Sequence, residues 1–396
     1  GSRPDKMLTY NIHIQRAYEG LLELGYIEIS KPGYFDRKGR KDGTPTSRLT
    51  RYIATPKLLS LFTDTELKSL PAIIPPYVDP ELIKVRVKEK DEDGVTRRKS
   101  SAVKETSDTK RMRQNLMIIN KALSKHWYDL EIPDEELSEL QKRLADDVVN
   151  ERTIRMDQRS VYRVFNDPKL ETGGRFYGGW WQRIDSSQRS RIRLNNLQTN
   201  EIDYSSLHVI LAYAKVNVDY WKLTDKDPYR VPIDGVENPE HIRDITKLFF
   251  LLSLNASNEI SLFKAFRSEL NYKEYPYTFP DKVLAQLLED IKLLHPKIAH
   301  LICSGAGLKL MNLDSQMGEF IIKDFVKTNT PILTVHDSFV VPFGQEDRLN
   351  NLMKEAFMSV SKQERVRMKY NANITEKGLY TSQHQDRDFY LDKLSF

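Results

Sequence analysis

The stretch Pro331–Pro342, PILTVHDSFVVP, restricts this chain more than any other. Two short β-branched runs, Ile332–Val335 and Phe339–Val341, flank a His-Asp-Ser tip, a pattern that reads as a tight buried hairpin. A His-Asp dipeptide there puts a carboxylate where a buried strand meets a cleft. Read alone, the polar tip is more readily a solvated turn. A second stretch changes the balance. Glu201–Lys215, EIDYSSLHVILAYAK, reads as another apolar strand, with Asp203 where the strand turns into a helix. Two strand-borne aspartates can hold two divalent ions about 4 Å apart, the geometry of phosphoryl and nucleotidyl transfer.

Length and composition set the frame for that reading. The 396 residues suffice for two or three domains with a substantial core, and 39% hydrophobic with 30% charged residues describes a soluble globular protein. No apolar run of about 18 residues occurs, so no membrane span is expected. No leader is read at the start, where Gly1-Ser2 looks like a cloning scar. The single cysteine, Cys303, excludes internal disulfides and zinc-knuckle spacing and fits a reducing cytoplasm. The net charge of +5 is unevenly spread: Lys31–Lys57 holds eight Lys/Arg against two acidic residues, a local excess larger than that of the whole chain. Such surface favours nucleic-acid phosphates, although charge runs are often plain solvated faces.

Leu8–Ile29 reads as a helix ended by Gly25 and running into a short strand. A Gly/Lys/Arg loop with Arg37, Lys38, Arg40 and Lys41 follows, then a strand at Arg51–Thr55. Helix, strand, basic loop and strand is the sequence shape of a winged helix, used on DNA or for protein contact. Pro71, Pro75 and Pro76 mark a boundary, giving a winged-helix-like unit at 1–75. Across 76–150 come a hairpin, Leu82–Lys90 and Arg97–Ser101 around DEDG, and helices over Asp108–Trp127 and Pro133–Val149, a thumb-like or connecting region.

Beyond residue 150, Arg152, Arg155, Arg159 and Arg163 would form one cationic stripe on a helix, or a salt-bridged face. Gly173–Trp181, GGRFYGGWW, surrounds Arg175 with glycines for close backbone approach and aromatics, Tyr177 among them, that could stack on bases. Arg189, Arg191 and Arg193 alternate as they would on one strand face, and the strand region continues through Gln198 into Asp203. In Arg243–Ala256, RDITKLFFLLSLNA, Arg243 and Lys247 lie four apart, one above the other on a helix, with Asn255 two turns further on. Stacked cations can grip a triphosphate. In isolation, an ordinary amphipathic helix with exposed basic residues is the better account of them.

In this order, the three elements resemble the palm and fingers of the superfamily that joins family A DNA polymerases and phage-type single-subunit RNA polymerases. Asp203-Tyr204-Ser205-Ser206-Leu207-His208 is similar to the family A motif DYSQIE. Arg243-Asp244-Ile245-Thr246-Lys247 resembles the finger helix, close to the RxxTK form of the RNA polymerases. Val335-His336-Asp337-Ser338-Phe339 resembles the closing motif, its HDSF wording again nearer the RNA polymerases. The NNLQ run and the Gly/Arg/aromatic stretch before Asp203 resemble the primer- and template-contacting region of family A. The likeness covers Arg152–Pro342, about half the chain. His208 stands where DNA polymerases carry a Glu that excludes the ribose 2′-hydroxyl, and Asn255-Ala256 where the family has Tyr-Gly.

The resemblance implies an α+β fold: a palm with an antiparallel sheet and helical fingers over 151–396, preceded by the small winged-helix-like domain. It implies nucleotidyl transfer to a 3′-hydroxyl with two Mg²⁺ or Mn²⁺ ions on Asp203, Asp337 and the Tyr204 carbonyl. Lys247 and Arg243 would neutralise the leaving pyrophosphate and His336 would position the primer end. Tyr204, Ser205, Thr246, His208 and Asn255 would line the nucleotide site. Arg175, Tyr177, Arg189, Arg191, Arg193 and Gln198 would meet nucleic acid. The implied partners are DNA, as primer-template or single strand, and nucleoside triphosphates. RNA-synthesising primase activity, a non-catalytic DNA-binding replication protein and a metal-dependent nuclease are the alternatives.

Overall fold

The structure, a computed structural model, describes residues 12–36, 46–48, 50–63, 81–90, 96–146, 154, 158–270 and 275–371. Helix α1 (Ile12–Glu23) leads into β1 (Ile27–Lys31), which pairs antiparallel with β4 (Arg51–Ala54). Between them β2 (Tyr34–Asp36) pairs with β3 (Thr46–Arg48), and a short α2 (Pro56–Leu59) follows, capped by the Thr55 side chain. Helix and returning strand fall where the sequence placed them. The loop that carries Arg37, Lys38, Arg40 and Lys41 lies outside the described residues.

Among the described residues, the rest of the chain builds two sheets. In the first, β5 (Ile83–Lys90) and β6 (Thr96–Ser101) form the expected hairpin, and β8 (Tyr162–Phe165) and β9 (Gly173–Tyr177) complete the order β6-β5-β8-β9. Only the β5–β8 pairing among these is parallel. The second sheet runs through β12 (Leu333–Val335), β13 (Ser338–Pro342), β11 (Leu197–Tyr204), β10 (Ile192–Leu194) and β7 (Tyr128–Leu130). A further strand, β14 (Met368–Asn371), pairs with β11 at Glu201–Tyr204, on the edge that β10 occupies at Leu197 and Gln198. β14 has too few apolar residues to announce itself, and the unpaired edge of β11 recruits it through backbone hydrogen bonds.

Ten helices pack around these sheets: α3 (Ser107–Leu123), α4 (Asp134–Asp146), α5 (Ser186–Arg189), α6 (Leu207–Lys215), α7 (Tyr220–Leu223), α8 (Pro239–Asn255), α9 (Glu259–Leu270), α10 (Asp281–Leu294), α11 (Gly307–Lys327) and α12 (Glu346–Ser361), counted among the described residues. Helix α11 ties the sheets together, contacting β9, α12, α6 and α3. Its row of Leu310, Met317, Ile321 and Phe325 is fully buried, the apolar stripe that gives a helix its packing free energy. The fold is thus α+β, with mainly antiparallel sheets.

Three local expectations are corrected. Arg159 and Arg163 do not belong to a helical cationic stripe: residues 158–161 are irregular, Arg163 lies in β8, and both are buried, while Arg152 and Arg155 are outside the described residues. Arg163 binds Glu319 at 2.7 Å, Ser315 at 2.9 Å and the Gly174 carbonyl at 2.6 Å, tying β8 to α11. The aromatics Phe176, Trp180 and Trp181 are core side chains rather than stacking platforms, and Trp181 Nε1 donates to the Thr334 carbonyl at 3.0 Å, fixing the strand before the hairpin tip. Arg189, Arg191 and Arg193 do not share a strand face, since Arg189 ends α5, Arg191 is in a turn and Arg193 is in β10.

Candidate active site

The expected hairpin forms with Val335 opposite Ser338, so His336 and Asp337 are its two turn residues. Two-residue hairpin turns need a positive φ, usually supplied by Gly. Here His336 takes φ +62°, a conformation that costs free energy and is retained where the surroundings over-determine it. The surroundings do so: Tyr177 packs edge-on against the imidazole, with ring centres 5.3 Å apart. Burial, with the nearby Arg175 cation, lowers the His336 pKa to about 4, so the ring is neutral at pH 7.

β13 pairs with β11 so that Asp203 lies opposite Ser338, next to the turn, and the Tyr204 amide approaches the Asp337 carbonyl at 3.4 Å. On the other edge of β11, Asp203 is opposite Lys369 of β14. The two aspartates and Lys247 line one cleft of about 250 Å³, together with Arg175, His208, Tyr229, Leu251 and Asn255. Burial and the Asp337 charge push the Asp203 pKa up to about 8, although Lys247 and Lys369 act in the opposite direction. Two carboxyl groups this placed are short of positive charge. That deficit is what a divalent cation would fill. Among the described residues no cluster of three or more His, Cys, Asp or Glu side chains forms a metal cage. A pair of carboxylates fits Mg²⁺, which keeps several waters and takes its remaining ligands from substrate phosphates.

The strand-to-helix corner after Asp203 is built by Ser206 at φ +58°, and α6 starts at the next residue. Ser206 also faces the cleft and hydrogen-bonds the buried Tyr229 hydroxyl. Tyr204 points its side chain inward, donating to the Met353 carbonyl at 2.6 Å, so its backbone alone is available to the cleft. Ser205 uses its amide on the Arg367 carbonyl at 2.8 Å and does not line the cleft. Thr246 is fully buried under α8 and does not reach the cleft either.

Helix α8 presents Lys247, Leu251 and Asn255 to the cleft at four-residue steps, the spacing that puts successive side chains on one face. Arg243, one step earlier, lies outside the lining. It binds Asp227 at 2.6 Å, and its guanidinium carbon sits 5.7 Å from the Tyr229 ring centre.

Behind Arg175 and His208, which line the cleft, lies Asp314, a residue that sequence reasoning missed. This carboxyl is 2% exposed. It accepts from Arg175 Nη2 at 2.5 Å and from Nε at 3.0 Å, and His208 Nε2 lies 2.9 Å away. His208 Nε2 also lies 3.1 Å from Arg175 Nη2, so this ring nitrogen meets an acceptor on Asp314 and a donor on Arg175. Asp314 therefore fixes both the Arg175 fork and the His208 ring. The clue was present in the sequence as an Asp on the apolar stripe of α11, between Leu310 and Met317.

No family model matches the chain, and neither does any curated protein. Among solved structures it is similar to one described as the POL domain of Pol1 from M. smegmatis in complex with DNA primer-template and dNTP. Sequence identity is 15%, the TM-score is 0.29, and the match covers 60% of this chain and 55% of that one, so it spans little more than half of that neighbour.

The remaining arginines are held within the protein. Arg189 makes a two-pronged pair with buried Glu201, which also accepts from Ser338 at 2.6 Å and so braces the strands beneath Asp203. Arg191 binds Glu136 at 2.9 Å and Arg193 binds Glu131 at 2.5 Å. Gln198 lies at the start of β11, away from the cleft, where its carbonyl accepts from Phe343.

Proposed function

We propose that the chain is a metal-dependent nucleotidyltransferase that extends the 3′-hydroxyl of a nucleic acid. The observation that carries this reading is the cleft in which Asp203 of β11 and Asp337 of the β12–β13 turn stand beside Lys247, with the Asp203 carboxyl pushed up to about 8 by burial and the Asp337 charge. Divalent ions between the two carboxylates would acidify the 3′-hydroxyl and clamp the triphosphate.

The chain's own groups supply the rest. Lys247 meets the phosphates from α8 and offsets charge that develops on the leaving pyrophosphate. Arg243 joins it by exchanging Asp227 for a phosphate oxygen. Neutral His336 positions the primer end beside Asp337. His208, held by Asp314, borders the sugar, and Asn255 borders the base at the far end of the α8 face. The Tyr204 carbonyl would complete the ligand set beside Asp203, with Ser205 and Thr246 acting through the backbone and helix that they support. Residues 1–75 would bring the catalytic unit to DNA, and 76–150 would connect the two while lending strands to both sheets.

A nuclease using the same carboxylates has little need of Lys247 and Arg243 on one helix, so triphosphate dependence separates the two chemistries. The test is extension of a labelled primer-template with Mg²⁺ and either dNTPs or NTPs. Asp337→Asn should lower extension by about 10³-fold, in line with the several kcal/mol that a metal ion supplies to such a transition state. The sugar preference of the wild type reports what His208 selects, and unprimed synthesis with NTPs identifies a primase. Absence of product with either sugar, with and without primer, while DNA is still bound, refutes the catalytic reading.

A further inference from the structure

The outer face of the four-stranded sheet has a composition that the cleft chemistry does not explain. In β5, Ile83, Val85 and Val87 pack toward the core, so Lys84 and Arg86 point the opposite way. The strand registers set Lys84 beside Val164, Val164 beside Arg175 and Tyr162 beside Tyr177. Three cations and two tyrosines therefore share one face. Of these cations Arg175 is already paired with Asp314, so Lys84 and Arg86 are the ones that extend the face beyond the cleft.

These groups form a continuous path. Lys84 Nζ stands 4.0 Å from the Tyr162 ring centre, and the Tyr162 and Tyr177 rings stack 6.5 Å apart at 29°. Tyr177 then meets His336 at the hairpin tip. A second cleft of about 300 Å³ opens along this face, lined by Arg86, Val164, Asn166 and Tyr177 among others. It shares Arg175, Asn255 and Met311 with the cleft that holds Asp203 and Asp337.

We propose that this sheet face binds one strand of nucleic acid in single-stranded form and delivers it into the catalytic cleft. Lys84 and Arg86 take backbone phosphates, and bases stack on the partly exposed Tyr162 and Tyr177 rings. Alternating cations and rings on a flat sheet suit unpaired bases, whose faces are open, whereas in a duplex those faces are covered by neighbouring pairs. From β5 to β9 the path crosses two strand spacings, about 10 Å. The inference rests on the nucleotidyl-transfer reading only for what happens where the strand ends.

The test is fluorescence anisotropy with a labelled 20-nucleotide oligo-dT in EDTA, without nucleotides, across a salt series on the full chain. The Lys84→Gln/Arg86→Gln protein should bind about tenfold more weakly at low salt. Its log K against log[salt] slope should be shallower by about 1.4, the counterion release of two phosphate contacts on a single strand. Lys121→Gln/Lys142→Gln, which removes equal charge from exposed positions on α3 and α4, should bind as wild type. Tyr177→Leu should lose about tenfold, and Tyr177→Phe should restore it. Wild-type affinity and slope in the double variant overturn the proposal, as does tighter binding of duplex than of single strand by the wild type. Because no catalysis is read, strand binding lost in the variant stands even if primer extension fails. Extension by a protein whose strand binding ignores these residues refutes the face alone.

Discussion

Asp314→Asn keeps the shape of the site behind the cleft and removes the one charge that both Arg175 and His208 face. Arg175 has only 14% of its side chain exposed, and its ordinary pKa is raised further by Asp314 despite burial, so the guanidinium stays charged. The variant leaves that cation almost buried, without its hydrogen-bonded carboxylate and with only Asp337 as a remaining counter-charge, which costs about 3–5 kcal/mol. The pH dependence has a definite sign. Burial pushes the Asp314 pKa up, but Arg175 and His208 together outweigh it and hold the carboxyl below its ordinary 3.8. A folded-state pKa below the unfolded one gives stability that is fully present above the unfolded value and is lost as pH falls through the folded one. The gap between wild type and variant should therefore be constant from pH 8 to 6 and close below about pH 4. Urea unfolding followed by fluorescence of the buried Trp180 and Trp181, with circular dichroism as a second probe of two-state behaviour, measures it. Asp314→Leu with Arg175→Met removes the pair as a unit and should recover much of the loss. A change under about 1 kcal/mol at pH 7, or additive single variants, refutes the assignment of Asp314 as the group that holds Arg175 and His208.

Three further outcomes can be checked independently. With its pKa raised to about 8, Asp203 contributes stability below its unfolded pKa that is lost as pH rises through 8. The melting temperature in EDTA should fall from pH 6 to 9, Mg²⁺ should restore it most at the high end, and Asp203→Asn should abolish both trends in thermal melts. A Cβ added at Gly307 would lie 2.4 Å from Asn255 Oδ1, at the end of a side chain that can turn away by giving up the bond from its Nδ2 to the Leu251 carbonyl. Gly307→Ala should hence alter stability by less than about 1 kcal/mol while raising the KM for the nucleotide. Gly174, at φ +93°, has Phe165 and Ser315 atoms at 2.6 and 2.9 Å from such a Cβ, and Gly174→Ala should destabilise by about 3 kcal/mol in the same urea assay.

Much of the fold was legible along the chain, because the signals were local. The β5–β6 hairpin, the strand-to-helix step at Asp203 and the helix around Lys247 are written in apolar period, caps and turn residues. The winged unit and the domain limits remain proposals, since a basic loop outside the described residues carries the first. Where reading failed, charge was the reason. Arg163, Arg189, Arg191 and Arg193 looked like phosphate contacts because a sequence shows a cation but not its partner. Those partners, Glu319, Glu201, Glu136 and Glu131, are distant in the chain or hidden until strands pair.

What the sequence determined by itself is the set of elements and the two aspartates at their ends, since periodicity and turn chemistry act over a few residues. Only the tertiary structure decided which charges are spent inside the protein and which face the cleft. It set Asp314 under Arg175 and His208, laid β14 along the edge of β11 with Lys369 opposite Asp203, and joined the β5 cations to the hairpin tip through Tyr162 and Tyr177. Each of these depends on pairing or packing between segments far apart in sequence, where electrostatic and backbone partners are chosen by proximity in space and leave no mark on local pattern.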